Sequence, residues 1–253
     1  MNAPALASAL AIAPTPAGAG WQARLRLGFE RRGARTVLVA REHCGPLVVQ
    51  RPLYPEGEAV CHTILVHPPA GIAGGDRLAL TLALGAGAHV LLTTPGAGKW
   101  YRSAGLHGEL VQRIEIAEGG VCEFLPQESI VYDGALGAVT TEVELGGSAV
   151  FIGAEMLCLG RTGSGERFGR GELALRTRIR RDGRPVWLER GVLKGGGALL
   201  DSAVGLGGEP VSACLLIAAP ACDAALLEAW RAVEPVAGQG AVTLLPGLLV
   251  ARW

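Results

Sequence analysis

The sequence is poor in aromatic and charged residues, and these shortages exclude several classes of partner. Phe, Trp and Tyr make up 5% of the 253 residues, and Asp, Glu, Lys and Arg make up 18%. The 23 basic side chains balance the 23 acidic ones, so no net field attracts nucleic acid or an anionic membrane. The few aromatic residues offer no stacking platform for bases. A protein or small-molecule partner is therefore favoured, and the mean hydropathy of +0.34 predicts poor solubility of the isolated chain.

Common catalytic motifs are also missing. No serine lies in a G-x-S-x-G motif, which excludes the nucleophile elbow of α/β-hydrolases. The stretch from Gly96 to Lys99 invites comparison with a phosphate-binding loop, but Thr93 replaces the first glycine of that motif and Trp100 replaces its Ser or Thr. A tight turn with an exposed lysine is the simpler interpretation.

Cysteine and histidine spacing gives no sign of a closed metal site. The six cysteines form no C-x-x-C pair, and a chain of this size does not need disulfides, so reduced thiols are expected. Cys61, His62 and His67 lie close together in sequence, but strand parity would separate the two histidines, and no H-x-x-x-H pattern occurs. We therefore expect partly buried, hydrogen-bonded histidines.

Two segments need to be distinguished from targeting or membrane signals. Residues 78–98 contain no Asp, Glu, Lys or Arg, but glycines at 85 and 87 and Pro95 interrupt the run, which indicates two short strands and not a membrane helix. Residues 1–20 are rich in Ala and Pro and contain no Lys or Arg, which predicts a disordered tail and not a signal peptide. Residues 21–253 are expected to form a single β domain.

The segment after Asp76 contains a repeat of strand, glycine turn and strand. Its copies begin roughly 30 residues apart, a spacing at which one unit stacks on the next and buries a shared core. The repeat predicts a mainly β fold, a β-helix-like stack of short strands or hairpins. Equivalent strand ends should also bring the polar motifs that follow each copy to one side of the stack. The turns are residues 85–87, 118–120 and 146–147, and the polar motifs are residues 99–102, 126–128 and 155–161.

Hairpins and a helix complete the predicted secondary structure. Alternating residues predict one hairpin within residues 21–39 and a second within residues 172–192, where Asp182 and Gly183 supply the turn. Residues 223–233 have an apolar helical face with Asp223 as a possible N-cap, so one or two helices are expected near the C-terminus. The chain should end in a strand over residues 241–250.

Several motifs occur in a fixed order along the chain and together resemble one family. They are residues 67–76 (HPPAGIAGGD), 95–103 (PGAGKWYRS), 125–128 (LPQE) and 157–161 (LCLGR), preceded by fitting pieces at residues 20–23 and 45–52. This series resembles the UreD (also UreH) family of urease accessory proteins, and the resemblance extends from about Trp21 to the C-terminus. Relatives usually continue past the position of Trp253, so a shorter C-terminus than is usual in the family is expected.

The resemblance implies a non-enzymatic cytoplasmic scaffold with a β-helix-like body. Such a scaffold would bind the accessory protein UreF and, through it, the GTPase UreG, and the assembly would dock on apo-urease. It would assist nickel delivery through a water-filled channel, holding nickel only in transit and no tightly bound cofactor. By motif, the channel carboxylates would be Asp76, Glu155 and Glu189. Oxygen ligands along a hydrated path would hold a divalent ion weakly enough to release it, unlike a closed Cys/His cage.

Other interpretations of the same residues stay open at this point. Asp76, Glu155 and Glu189 each lie beside short apolar runs, where carboxylates need partners or water, and a plain salt-bridge network would also satisfy them. A carbohydrate-active enzyme on a β-solenoid could use such acids, although the aromatic residues that usually line its groove are scarce here. A β-rich adaptor unrelated to nickel is the third possibility.

Overall fold

The computed structural model describes residues 20–253, so the predicted disordered tail lies, except for Gly20, outside the described residues. Seventeen strands dominate the described chain. They are β1 Gln22–Arg32, β2 Arg35–Cys44, β3 Val48–Val49, β4 Val60–Val66, β5 Arg77–Leu84, β6 His89–Thr93, β7 Gly98–Trp100, β8 Gly108–Ile116, β9 Val121–Phe124, β10 Ser129–Val131, β11 Ala135–Leu145, β12 Val150–Leu159, β13 Gly171–Arg181, β14 Arg184–Lys194, β15 Val211–Ala218, β16 Ala241–Leu245 and β17 Leu248–Arg252. The helices are α1 Ala198–Asp201 and α2 Ala224–Arg231, with a 3-10 turn at Thr162–Ser164.

The predicted repeat forms the solenoid-like centre of the molecule. In each copy the chain runs along one sheet, turns at glycine, and continues in the second sheet: β5 to β6, β8 to β9, and β11 to β12. Gly87, Gly119 and Gly147 occupy equivalent places in the three turns with φ of 67°, 65° and 50°, a region that glycine enters without steric cost. The mainly β, β-helix-like fold class is therefore confirmed. The two strands of a copy pair with the neighbouring copies and not with each other.

Parallel pairing stacks the copies and gives two sheets. The first sheet has seven strands in the order β14-β13-β11-β8-β5-β1-β2, and the second has the path β16-β17-β15-β12-β9-β6-β4-β3. Strands β1, β5, β8, β11 and β13 are parallel neighbours, as are β4, β6, β9 and β12. The short strands β7 and β10 add a third face, where β10 pairs with β7 and with the end of β12.

Antiparallel strands close the sheets, and the core lies between them. The hairpins β1–β2 and β13–β14 were both predicted, and Asp182 and Gly183 adopt positive φ in the second turn. The final segment is a hairpin of β16 and β17 around Gly247, where the sequence predicted one strand. Inward side chains from Ala23 to Val250 form one apolar cluster, and a smaller cluster lies under α2. Within residues 20–253 no helix is both long and apolar enough to cross a membrane.

Candidate functional site

A cavity of about 430 Å³ lies between the inner faces of the two sheets. Much of its wall is apolar, including Leu80, Leu110 and Phe151. The three polar motifs predicted to lie on one side of the stack all reach this wall, through Lys99, Gln127 and Glu155. The wall also carries Glu189, so the structure brings together two of the three carboxylates that the sequence singled out.

A row of polar side chains crosses the first sheet and faces the cavity. The register aligns Gln112 with Thr141, Thr141 with Thr177, and Thr177 with Glu189, so β8, β11, β13 and β14 each contribute one residue. The Thr141 hydroxyl donates to Gln112 Oε1 at 2.8 Å. Two positions further along the strands the row is fully apolar, consisting of Ile114, Val143, Ile179 and Trp187. The polar row is thus a selective interruption of an apolar interior.

Glu155 faces this row from the second sheet. It pairs across strands with Cys214, which pairs in turn with Arg252. Burial, and secondly the nearby charge of Glu189, raise the pKa of Glu155 to about 7. A carboxyl group with this pKa exchanges its proton near neutral pH, unlike an ordinary surface glutamate.

Glu189 is the more exposed member of the pair and has a cationic partner. Its side chain is 43% exposed, and Arg252 Nη2 lies 2.6 Å from Glu189 Oε1. The Arg252 guanidinium also lies over the ring of Trp187, 5.8 Å from its centroid. Glu189 therefore occupies the solvent side of the carboxylate pair, and Glu155 lies deeper.

Asp76 is buried at a different place, at the start of β5. It is 4% exposed, and its two oxygens accept hydrogen bonds from the backbone N–H groups of Trp21 (2.7 Å) and Ala73 (2.8 Å). It does not line the cavity. In this position Asp76 anchors the first strand and shapes the loop over residues 67–76.

His67 links the Asp76 loop to the cavity wall. Burial lowers the pKa of His67, and the charge of Asp76 opposes that shift. His67 Nε2 is buried without a hydrogen-bond partner, which differs from the hydrogen-bonded state that the sequence favoured. His62 does have such a bond, to Glu56 Oε1 at 2.5 Å. Burial thus favours the neutral imidazole of His67, which forms part of the cavity wall.

The described chain contains no closed metal cage. Across residues 20–253, no three His, Cys, Asp or Glu side chains cluster closely enough to hold a metal ion. All six cysteines fall in this range and are unpaired. What the cavity offers is a pair of carboxylates with neutral oxygen atoms beside them, a donor set suited to weak and exchangeable contact with a hard or borderline cation.

Sequence reasoning missed several residues of this site. Thr177, Cys214 and Arg252 gave no local signal, because only the register of distant strands brings them to the carboxylates. Gln112 and Thr141 could have been found, since they are 29 residues apart and hold the same place in successive copies of the repeat.

Comparison with known proteins gives the same family description over nearly all of the chain. The family model described as UreD urease accessory protein matches residues 22–253. A urease accessory protein UreD from Azoarcus sp. (strain BH72) is 70% identical over 234 residues, covering 92% of this chain and 82% of the relative. One from Dechloromonas aromatica (strain RCB) is 48% identical over 252 residues, covering 98% and 88%. One from Pseudomonas fluorescens (strain Pf-5) is 48% identical over 233 residues, covering 92% and 82%. The chain therefore belongs to the UreD family of urease accessory proteins.

Proposed function

We propose that this chain is a non-enzymatic, cytoplasmic scaffold that assists delivery of nickel to apo-urease, with nickel passing as cargo through the interior cavity. In this proposal it works in a complex with a UreF-type partner and, through that partner, a UreG-type GTPase. The observation that carries the proposal is the meeting of Glu155 and Glu189 in a cavity between the sheets. Ionising a carboxyl group as deeply placed as Glu155 costs free energy unless a cation compensates its charge, and a divalent ion would do so.

The chemistry of the pair suits transfer more than storage. Because the pKa of Glu155 is about 7, a bound divalent ion must displace a proton at neutral pH, which weakens binding. The amide of Gln112 and the hydroxyls of Thr141 and Thr177 add neutral oxygen atoms along the row. Such ligands exchange readily with water, whereas thiolate and imidazole cages bind nickel-like ions tightly.

Asp76 has a less direct place in the proposal. Its oxygens already accept two backbone N–H groups, so its carboxylate is committed to shaping the loop that carries His67. We include it as a residue that positions the loop beside the cavity, and its contact with nickel stays a prediction.

Exposed apolar side chains on β14 support the proposal that a partner protein docks there. Leu188 and Val192 on the edge strand β14 are 65% and 46% exposed and lie on the same face of that strand. An uncovered edge strand with apolar side chains is a ready site for association. Co-expression with the UreF-type partner should therefore convert an aggregating chain into a defined complex, and no co-purification would contradict this part of the proposal.

The experiment for nickel transfer compares matched carboxylate variants in that complex. Glu155→Gln combined with Glu189→Gln should lower the nickel content of apo-urease after incubation, while the complex still assembles. Glu115→Gln is the control, because Glu115 is an exposed carboxylate on the same sheet as Glu189 and does not line this cavity. Unchanged nickel content with the double variant would refute passage through the cavity.

A further inference from the structure

Arg252 forms an ion pair with Glu189, the more exposed carboxylate of the pair. Its guanidinium lies 2.6 Å from Glu189 Oε1, and the two side chains are 49% and 43% exposed. The same side chain interacts with the thiol of Cys214, the cross-strand neighbour that separates Arg252 from Glu155. Arg252 therefore pairs with the outer carboxylate, and Cys214 lies between it and the inner one.

The ion pair and a divalent ion need the same oxygen atoms. A guanidinium has five N–H donors and cannot lose its charge in a protein, so it stays a cation at any working pH. A metal ion approaching Glu189 must displace Arg252 from Oε1 or share the carboxylate with it.

We propose that Arg252 is a positioning residue that competes with nickel for Glu189 and thereby limits how tightly the carboxylate pair holds the ion. This inference rests on the proposed function and adds a mechanism for the release of nickel. With Arg252 in place, the two ionised carboxylates and the guanidinium carry a net charge of −1. The ring of Trp187 and the exposed surroundings give the displaced guanidinium a place to stay near the pair. Because the guanidinium stays close to Glu189, it pairs with this carboxylate again as the nickel ion leaves.

A purely structural salt bridge makes a different prediction. If Arg252 only joined the edge strand β14 to β17, its removal would lower stability and leave metal affinity unchanged or weakened. If it competes with the ion, its removal must strengthen metal binding. Arg252→Lys separates these readings further, because lysine keeps the charge but loses the forked geometry of the guanidinium.

The test is isothermal titration of Ni²⁺ into the complex of the full chain with its UreF-type partner, with the partner alone as reference. Arg252→Gln should tighten nickel binding about fivefold, the effect of an exposed ion pair worth about 1 kcal/mol. Arg252→Lys should fall between the two. The control Arg190→Gln, an exposed arginine next to Glu189 in sequence, should bind as the unmodified chain does. Equal or weaker binding by Arg252→Gln, or no measurable binding in either form, would overturn the inference.

The outcome can be separated from that of the proposed function. Tighter binding by Arg252→Gln that disappears when Glu155 and Glu189 are also replaced by glutamine supports the competition. If nickel loading of apo-urease is nevertheless indifferent to Glu155→Gln and Glu189→Gln, the competition stands and the transfer function fails. If loading depends on the carboxylates but Arg252→Gln leaves affinity unchanged, the function stands and the competition fails.

Discussion

Replacing Glu155 with glutamine should stabilise the chain at pH 8 and change its stability little at pH 5. In the folded chain, burial and the nearby Glu189 raise the pKa of Glu155 from 4.5 to about 7. Between these two values unfolding releases a proton, so the free energy of unfolding falls as pH rises and levels off above pH 7. Glutamine has the shape of the protonated carboxyl group and does not titrate, so this loss disappears in the variant.

The size of the effect follows from the two pKa values. A difference of one pKa unit corresponds to about 1.4 kcal/mol, so the change from 4.5 to about 7 gives at most about 3 kcal/mol at pH 8. Because the Glu155 side chain is only partly buried, residual hydration of the ionised carboxyl group reduces this limit to about 2 kcal/mol. At pH 5 most of the folded chains already carry a neutral Glu155.

Urea denaturation followed by tryptophan fluorescence, at half-unit steps from pH 5 to pH 8.5, measures the difference directly. Because groups far from Glu155 titrate alike in both forms, the difference between the chain and its Glu155→Gln variant reports the titration of Glu155 together with its interaction with Glu189. Glu115→Gln serves as the exposed control and should show no such trend. A difference that is constant with pH, or that grows toward pH 5, would refute the account of Glu155 as a buried acid.

Two further changes test the surroundings of the site. Asp76→Ala should lower the free energy of unfolding by about 3 kcal/mol, because the N–H groups of Trp21 and Ala73 lose their acceptor; urea denaturation with no shift in midpoint would contradict the anchoring role. Gly137→Ala should cost about 1–3 kcal/mol, since the new Cβ would lie 2.5 Å from the Trp100 ring. Gly191→Ala is the matched control, because no atom lies within 4 Å of its new Cβ. Equal thermal midpoints for the two variants would contradict the prediction, because they would show that the Trp100 ring moves aside at little cost.

The local features of the fold could be predicted from sequence because a few neighbouring residues decide them. Asp182 and Gly183 form the predicted turn with φ of 50° and 73°. Asp223 caps α2 by accepting a hydrogen bond from the N–H of Leu226 at 2.9 Å. The glycine turns of the repeat were recognisable for the same reason. The short strands β7 and β10 gave too few residues to show a period and were missed.

The candidate site was less predictable because it depends on pairing between distant strands. Glu155 and Glu189 are brought to one cavity by the stacking of the repeat against the β13–β14 hairpin, and no local pattern fixes that register. Long-range pairing also decides the ion pair of Glu189. Arg161 pairs with Glu166 and Arg102 with Asp133, whereas Glu189 pairs with Arg252 at the end of the chain. The sequence predicted that a buried Asp76 needs partners, and its partners are the backbone N–H groups of Trp21 and Ala73.

Anomalous diffraction from crystals of the accessory complex soaked in Ni²⁺ tests the central claim most directly, because it locates the ion without reference to activity. The account predicts a nickel peak in the cavity between the sheets, within coordinating distance of Glu155 or Glu189, that is lost in the Glu155→Gln, Glu189→Gln double variant. Nickel found only at surface histidines such as His43, with the cavity unchanged by the soak, would contradict it.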